Sequence, residues 1–119
     1  MNRQALLQQI EARIEAVTAS MQQHLGGQTL CQIHKDGRVT GGLKYDEGRL
    51  VALRAALRQI KAAADPLPDA LLDVLRAEAA RWQEQLRRFQ NQEQQSIPWI
   101  AYNQGGADAC ADVLRLFDS

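Results

Sequence analysis

The chain has 119 residues, with 14 Lys and Arg balanced by 14 Asp and Glu, 45% hydrophobic residues and only 5% aromatic ones. That length holds one small domain, or two half-size units sharing a core, and the composition excludes a disordered or collagenous chain. No apolar run approaches the ~18 residues of a membrane span, and Met1-Asn2-Arg3-Gln4 lacks the apolar core of a signal peptide, so a cytoplasmic protein without a membrane partner is expected.

Leu7, Ile10, Ile14, Val17, Met21 and His24 or Leu25 recur at steps of three and four, one stripe of a helix running from about Asn2 to Leu25. Gly26-Gly27 ends it, because glycine takes the left-handed cap that other residues resist. Gln28 to Lys44 then changes character and is read as a β-hairpin. A three-residue Lys35-Asp36-Gly37 loop pairs Ile33 with Val39 and separates the faces. A two-residue Asp-Gly turn would mix them. A second helix is expected from Asp46, its N-cap, to Ala64, with Leu50, Leu53, Leu57 and Ile60 on one face.

Asp65-Pro66-Leu67-Pro68 breaks the chain, since proline removes donors and restricts the residue before it. A third helix follows from about Asp69, carrying Leu72, Leu75, Ala79, Trp82, Leu86 and Phe89, and frays through Gln90 to Gln95. Ser96 to Ala101 is expected as an extended connection. The last helix is placed from about Asn103 to Phe117.

The chain also matches itself. Tyr45-Asp46-Glu47-Gly48 and Tyr102-Asn103-Gln104-Gly105 correspond at an offset of 57 residues, and the first and third helices are in phase at an offset of 65. The fold expected is therefore a mainly α single domain, residues 1–119. It is a small four-helix bundle with one β-hairpin after the first helix, built as half-repeats 1–64 and 67–119. The two longer helices are expected to pair antiparallel under the shorter ones. The shared tetrapeptide is read as a helix start, with Asp or Asn as the cap and Gly leaving room for a close neighbour.

His24, Cys31, His34 and Cys110 are the whole supply of soft metal ligands, and their spacing is not that of a zinc site. The hairpin register puts Cys31 and His34 on opposite faces, which also separates the one cysteine–histidine dyad available for nucleophilic catalysis. No phosphate-binding glycine loop and no Glu-x-x-His pair occurs. No cofactor, metal or enzymatic activity is expected.

Charge is unevenly placed. Residues 1–64 hold nine Lys and Arg against five Asp and Glu, net +4, and residues 65–119 hold five against nine, net −4. The positive excess comprises Lys35, Arg38, Lys44, Arg49, Arg54, Arg58 and Lys61. Its alternatives are phosphate contact with nucleic acid and a solvated face that pairs with acidic surface. Trp82 reads as core. Trp99 and Tyr102, after Pro98, are the interface candidates. Together these features describe a non-catalytic protein–protein interaction module, a homodimeric helical adaptor, regulator or inhibitor whose size fits a phage or mobile-element product. The alternative is a nucleic-acid-binding regulator using the hairpin and second helix.

Overall fold

The computed structural model describes residues 2–26 and 41–118. They form four helices: α1 (Arg3–Leu25), α2 (Gly41–Ala62), α3 (Asp69–Gln90) and α4 (Ile97–Phe117). Three of the ends have a local cause in a cap. Asn2 caps α1 by accepting from the Ala5 amide at 2.8 Å, and Gly26 closes it at φ 58° with its N–H on the Gln22 carbonyl. Ser96 caps α4, and Pro98 sits in its first turn, where no amide donor is needed.

The four-helix bundle agrees with the sequence reading, but the β-hairpin does not. Gly41–Lys44, expected as the end of its returning strand, are the first turn of α2, and no strand occurs among the described residues. Most of the expected hairpin, Gln28 to Thr40, lies outside the described residues. The expected extended connection is also overturned, because the Ser96 cap starts α4 at Ile97 and places Trp99 and Tyr102 on a helix.

The α2 and α4 helices form the centre of the bundle, with α1 packed on α2 and α3 on α4. The helices are nearly equal, at 21 to 23 residues, and α1 and α3 each pack on the helix that follows instead of forming the expected antiparallel pair. The buried stripe of α1, with Leu6, Leu7, Ile10 and Val17, joins Leu53 and Ile60 of α2, Leu71 and Leu75 of α3 and Val113 and Leu116 of α4 in one core. Each such large aliphatic side chain contributes about 1.5–3 kcal/mol on burial. The result is a slab of 47 × 35 × 21 Å, about two helices thick. No helix among the described residues is long and apolar enough to cross a membrane.

The repeated tetrapeptides lie at the α2–α4 crossing and not at helix starts. A Cβ on Gly48 would overlap the Tyr102 carbonyl, and a Cβ on Gly105 would overlap the Tyr45 carbonyl. The contact is reciprocal, glycine of one tetrapeptide against tyrosine backbone of the other. Asp46 is consequently no N-cap. It is buried in the interior of α2 at 4% exposure and accepts from the Ser20 hydroxyl at 2.6 Å. Asn103, its counterpart, is 5% exposed and donates from Nδ2 to the Trp99 carbonyl at 2.9 Å. Gly106 faces the other way, where the Trp82 indole of α3 lies against its backbone.

Alanine favours a helix interior over glycine by about 1 kcal/mol, yet Gly48→Ala and Gly105→Ala are each expected to destabilise the protein by roughly 1–3 kcal/mol, because backbone must move. The double variant should lose less than the sum, since the first substitution already separates the helices. Urea denaturation of the three variants measures both effects.

Candidate functional site

Four of the six aromatic side chains meet in one place. Trp82 and Phe89 project from α3 and Trp99 and Tyr102 from α4, lining a cleft of about 440 Å3 with Glu78, Arg81, Gln85 and Asn103. Tyr102 is the hinge of the cluster. Its ring lies 5.5 Å from that of Trp82 and 5.4 Å, edge-on, from that of Trp99, while Phe89 and Trp99 are nearly parallel at 6.3 Å. These spacings are those of favourable aromatic pairs, worth about 0.5–1.5 kcal/mol each beyond their buried area. The cluster is only partly covered, with Trp99 46% and Ile97 64% exposed.

The basic residues singled out from the sequence do not form one patch. Lys44 is turned inward, paired with Glu47 at 3.0 Å and with its ammonium 5.1 Å from the centre of the Trp99 ring. Arg49 is half-buried with its guanidinium 5.9 Å from the Tyr45 ring centre. Arg54, Arg58 and Lys61 are exposed on α2, and the Lys61 carbonyl accepts from Arg3 at 2.8 Å. Lys35 and Arg38 lie outside the described residues. Lys44, Trp99 and Tyr102 are therefore brought together, and Arg54 and Arg58 stand apart from them along α2.

Trp82 and Phe89 share the apolar stripe of α3, and the core position expected for Trp82 is not what the structure shows. Both are only half-buried and form one wall of the cleft. The missed signal was the pairing of aromatics seven apart on one helix with aromatics three apart on the next.

The corresponding place between α1 and α2 is filled differently. At the two offsets of the self-match, Gly42 stands for Trp99, His24 for Phe89, Ser20 for Gln85 and Asp46 for Asn103. There the His24 ring lies against Gly42, where a Cβ would come within 2.8 Å, and His24 Nε2 is 3.5 Å from Asp46 Oδ2. Ser20 donates to that same oxygen, so its proton is directed to the carboxylate and not to the imidazole. A nucleophile–base relay needs the opposite arrangement.

Of the metal-ligand candidates, Cys31 and His34 lie outside the described residues. Cys110 is buried in the core, where desolvation pushes its thiol up to about 11. No group of three or more His, Cys, Asp or Glu side chains that could hold a metal ion occurs among the described residues. Burial, and then the hydrogen bond from its hydroxyl to Asp108 at 2.6 Å, pushes Tyr45 up to about 12. Asp108 is held in turn by Gln104 Nε2 at 2.8 Å. Burial also raises Tyr102, helped by the Glu47 carboxylate.

No family model, curated protein or solved structure matches the chain.

The tyrosine shift has a testable sign. A pKa raised above the ordinary value near 10 means the fold favours the protonated phenol, so this contribution is complete below pH 10 and is lost as pH rises towards 12. Stability measured by urea unfolding should fall over that interval, and Tyr45→Phe should fall less steeply. Ultraviolet titration of tyrosinate should assign the latest-ionising tyrosine to Tyr45.

Proposed function

We propose that this protein is a non-catalytic docking module that holds a partner protein in the aromatic cleft between α3 and α4. The observation that carries the reading is the clustering of both tryptophans, one tyrosine and one phenylalanine around an open cleft, in a chain with only two of each aromatic type. Large rigid side chains with little entropy to lose are the usual anchors of protein interfaces, and partly exposed aromatics of this kind are rarely left unused on a small domain. The matched tetrapeptides at the α2–α4 crossing support a second element, that the two halves are copies of one helix-pair plan. In that plan the first copy has closed its cleft with small and polar side chains and the second has kept it open. A homodimer and a cytoplasmic setting, in keeping with the buried free thiol of Cys110, belong to the same proposal.

The second reading, nucleic-acid binding, draws on Arg54, Arg58 and Lys61. It is the weaker because Lys44 and Arg49 are engaged within the fold, and the exposed arginines of α3 are paired with carboxylates of their own helix.

Trp99→Ala should leave the helical content intact and reduce affinity for a captured partner by about 30-fold, the loss of a roughly 2 kcal/mol anchor. Substitution of exposed Gln95 by Ala should leave affinity unchanged. Isothermal titration with the partner recovered by affinity capture measures both. Binding that survives Trp99→Ala but weakens steeply with salt, and that transfers to mixed DNA or RNA, would replace this reading with the second.

A further inference from the structure

One polar group at the aromatic cleft lacks a partner of its own. Asn103 lines the cleft yet is only 5% exposed. Its carboxamide is oriented by its own helix. The Trp99 carbonyl can only accept, so the amide atom 2.9 Å from it is Nδ2, and Oδ1 occupies the other arm. No described residue donates to Oδ1. The atom is not sealed into the core either, which leaves the cleft as the side from which it is reached.

The other half of the molecule shows what completes such a position. Asp46, the counterpart of Asn103, has its Oδ2 met by the Ser20 hydroxyl at 2.6 Å and by the His24 ring nitrogen at 3.5 Å. The counterparts of those two residues on α3 do not serve Asn103 in this way. Phe89 has no polar hydrogen, and Gln85 is exposed and makes no hydrogen bond to it. Both donors of the first half are therefore missing from the second, and an acceptor buried without one is destabilising.

The walls restrict what can bring the donor. Four aromatic rings suit a flat apolar body. The charges at the cleft are already matched. Glu78 is paired with Arg81, and the Lys44 ammonium lies 5.1 Å from the centre of the Trp99 ring, which disfavours a second cation there. The negative faces of the rings disfavour an anion. A neutral aromatic group with one N–H or O–H donor meets both the rings and Oδ1. Among side chains these are tryptophan and tyrosine, since histidine becomes a cation near neutral pH. A second copy of this chain offers neither. Of its two tryptophans and two tyrosines, Trp82, Trp99 and Tyr102 form the cleft, and the Tyr45 hydroxyl is bonded to Asp108.

We propose that the cleft is a recognition site for a tryptophan or tyrosine side chain of a different protein, its ring seated among Trp82, Phe89, Trp99 and Tyr102 and its N–H or O–H donating to Asn103 Oδ1. The inference rests on the docking reading above and adds the chemistry of the anchor and the residue that selects it. The rings give affinity for any large apolar side chain. Asn103 gives discrimination, because an anchor without the donor would strip Oδ1 of water and leave it unpaired.

The test passes a displayed library of short random peptides over the protein and discards those also retained by Trp99→Ala. Tryptophan or tyrosine is expected at a shared position of the remaining peptides. One such peptide is then made with and without the donor, using tryptophan methylated at the indole nitrogen, or phenylalanine in place of tyrosine. Loss of the donor is expected to weaken binding about tenfold or more in isothermal titration, at low and high salt alike. With Asn103→Leu, which keeps the volume but not the acceptor, the two peptides should bind equally. Asn103→Ala provides the same comparison where circular dichroism shows the leucine variant misfolded.

A shared leucine, isoleucine or phenylalanine in the retained peptides, or a donor-free peptide that binds as well as its parent, would overturn the assignment while leaving the docking reading in place. A donor preference that survives the Asn103 variants would do the same. Recovery of no Trp99-dependent peptide would overturn both. A Trp99-dependent dimer in sedimentation that excludes the peptides would assign the cleft to a second copy of the chain and overturn the inference.

Discussion

The close crossing of α2 and α4 is the contact on which the rest of the architecture depends. Two helices normally keep their axes 8–10 Å apart, the distance set by side chains at the contact. Here each helix presents a glycine to the carbonyl of the other's tyrosine, Gly48 to Tyr102 and Gly105 to Tyr45, and no side chain stands between the backbones. Such contacts gain dispersion and weak Cα–H···O attraction. They also fix the register of the two helices, since a shift of one residue would drive a Cβ into backbone.

That register determines where larger side chains go. With Gly105 committed to α2, Gly106 is turned towards α3 and gives the Trp82 indole a flat backbone surface to lie on. Trp82 in turn carries Tyr102, and Tyr102 carries Trp99. The aromatic cluster is thus assembled outward from two adjacent glycines, and its outermost members remain half in solvent because α3 touches α4 along one side only. On the other half of the molecule the corresponding positions hold Gly42, His24, Ser20 and Asp46, with the His24 ring against Gly42 and Asp46 in polar contact with Ser20 and His24.

The charge balance acquires meaning from the same arrangement. Carboxylates on α3 are matched by arginines three or four residues further along the helix. The positive excess of the first half is divided by burial instead. Lys44 and Arg49 are consumed against aromatic rings and a neighbouring carboxylate, and Arg54 and Arg58 remain on the surface.

Helix periodicity determined by itself that there are four helices, but not where α2 and α4 begin. The stripe of α1, the proline break before α3 and the glycine stop at Gly26 are local signals, set by backbone geometry and side-chain spacing within a few residues. The self-match of Tyr45-Asp46-Glu47-Gly48 with Tyr102-Asn103-Gln104-Gly105 was equally plain in the sequence, but its meaning was not. Asp and Asn before a glycine suit a helix start as well as a helix crossing, and only the approach of a second backbone distinguishes the two. For the same reason Gly41-Gly42 read as strand punctuation until the His24 ring and α4 were seen to occupy the space beside them. Trp82 and Phe89 fell on an apolar stripe that the sequence assigned to the core, because spacing reports which face of a helix is apolar and not how much of that face its neighbours cover. Tertiary packing decided that, by placing α3 against α4 along one edge and leaving the aromatic cleft open on the other.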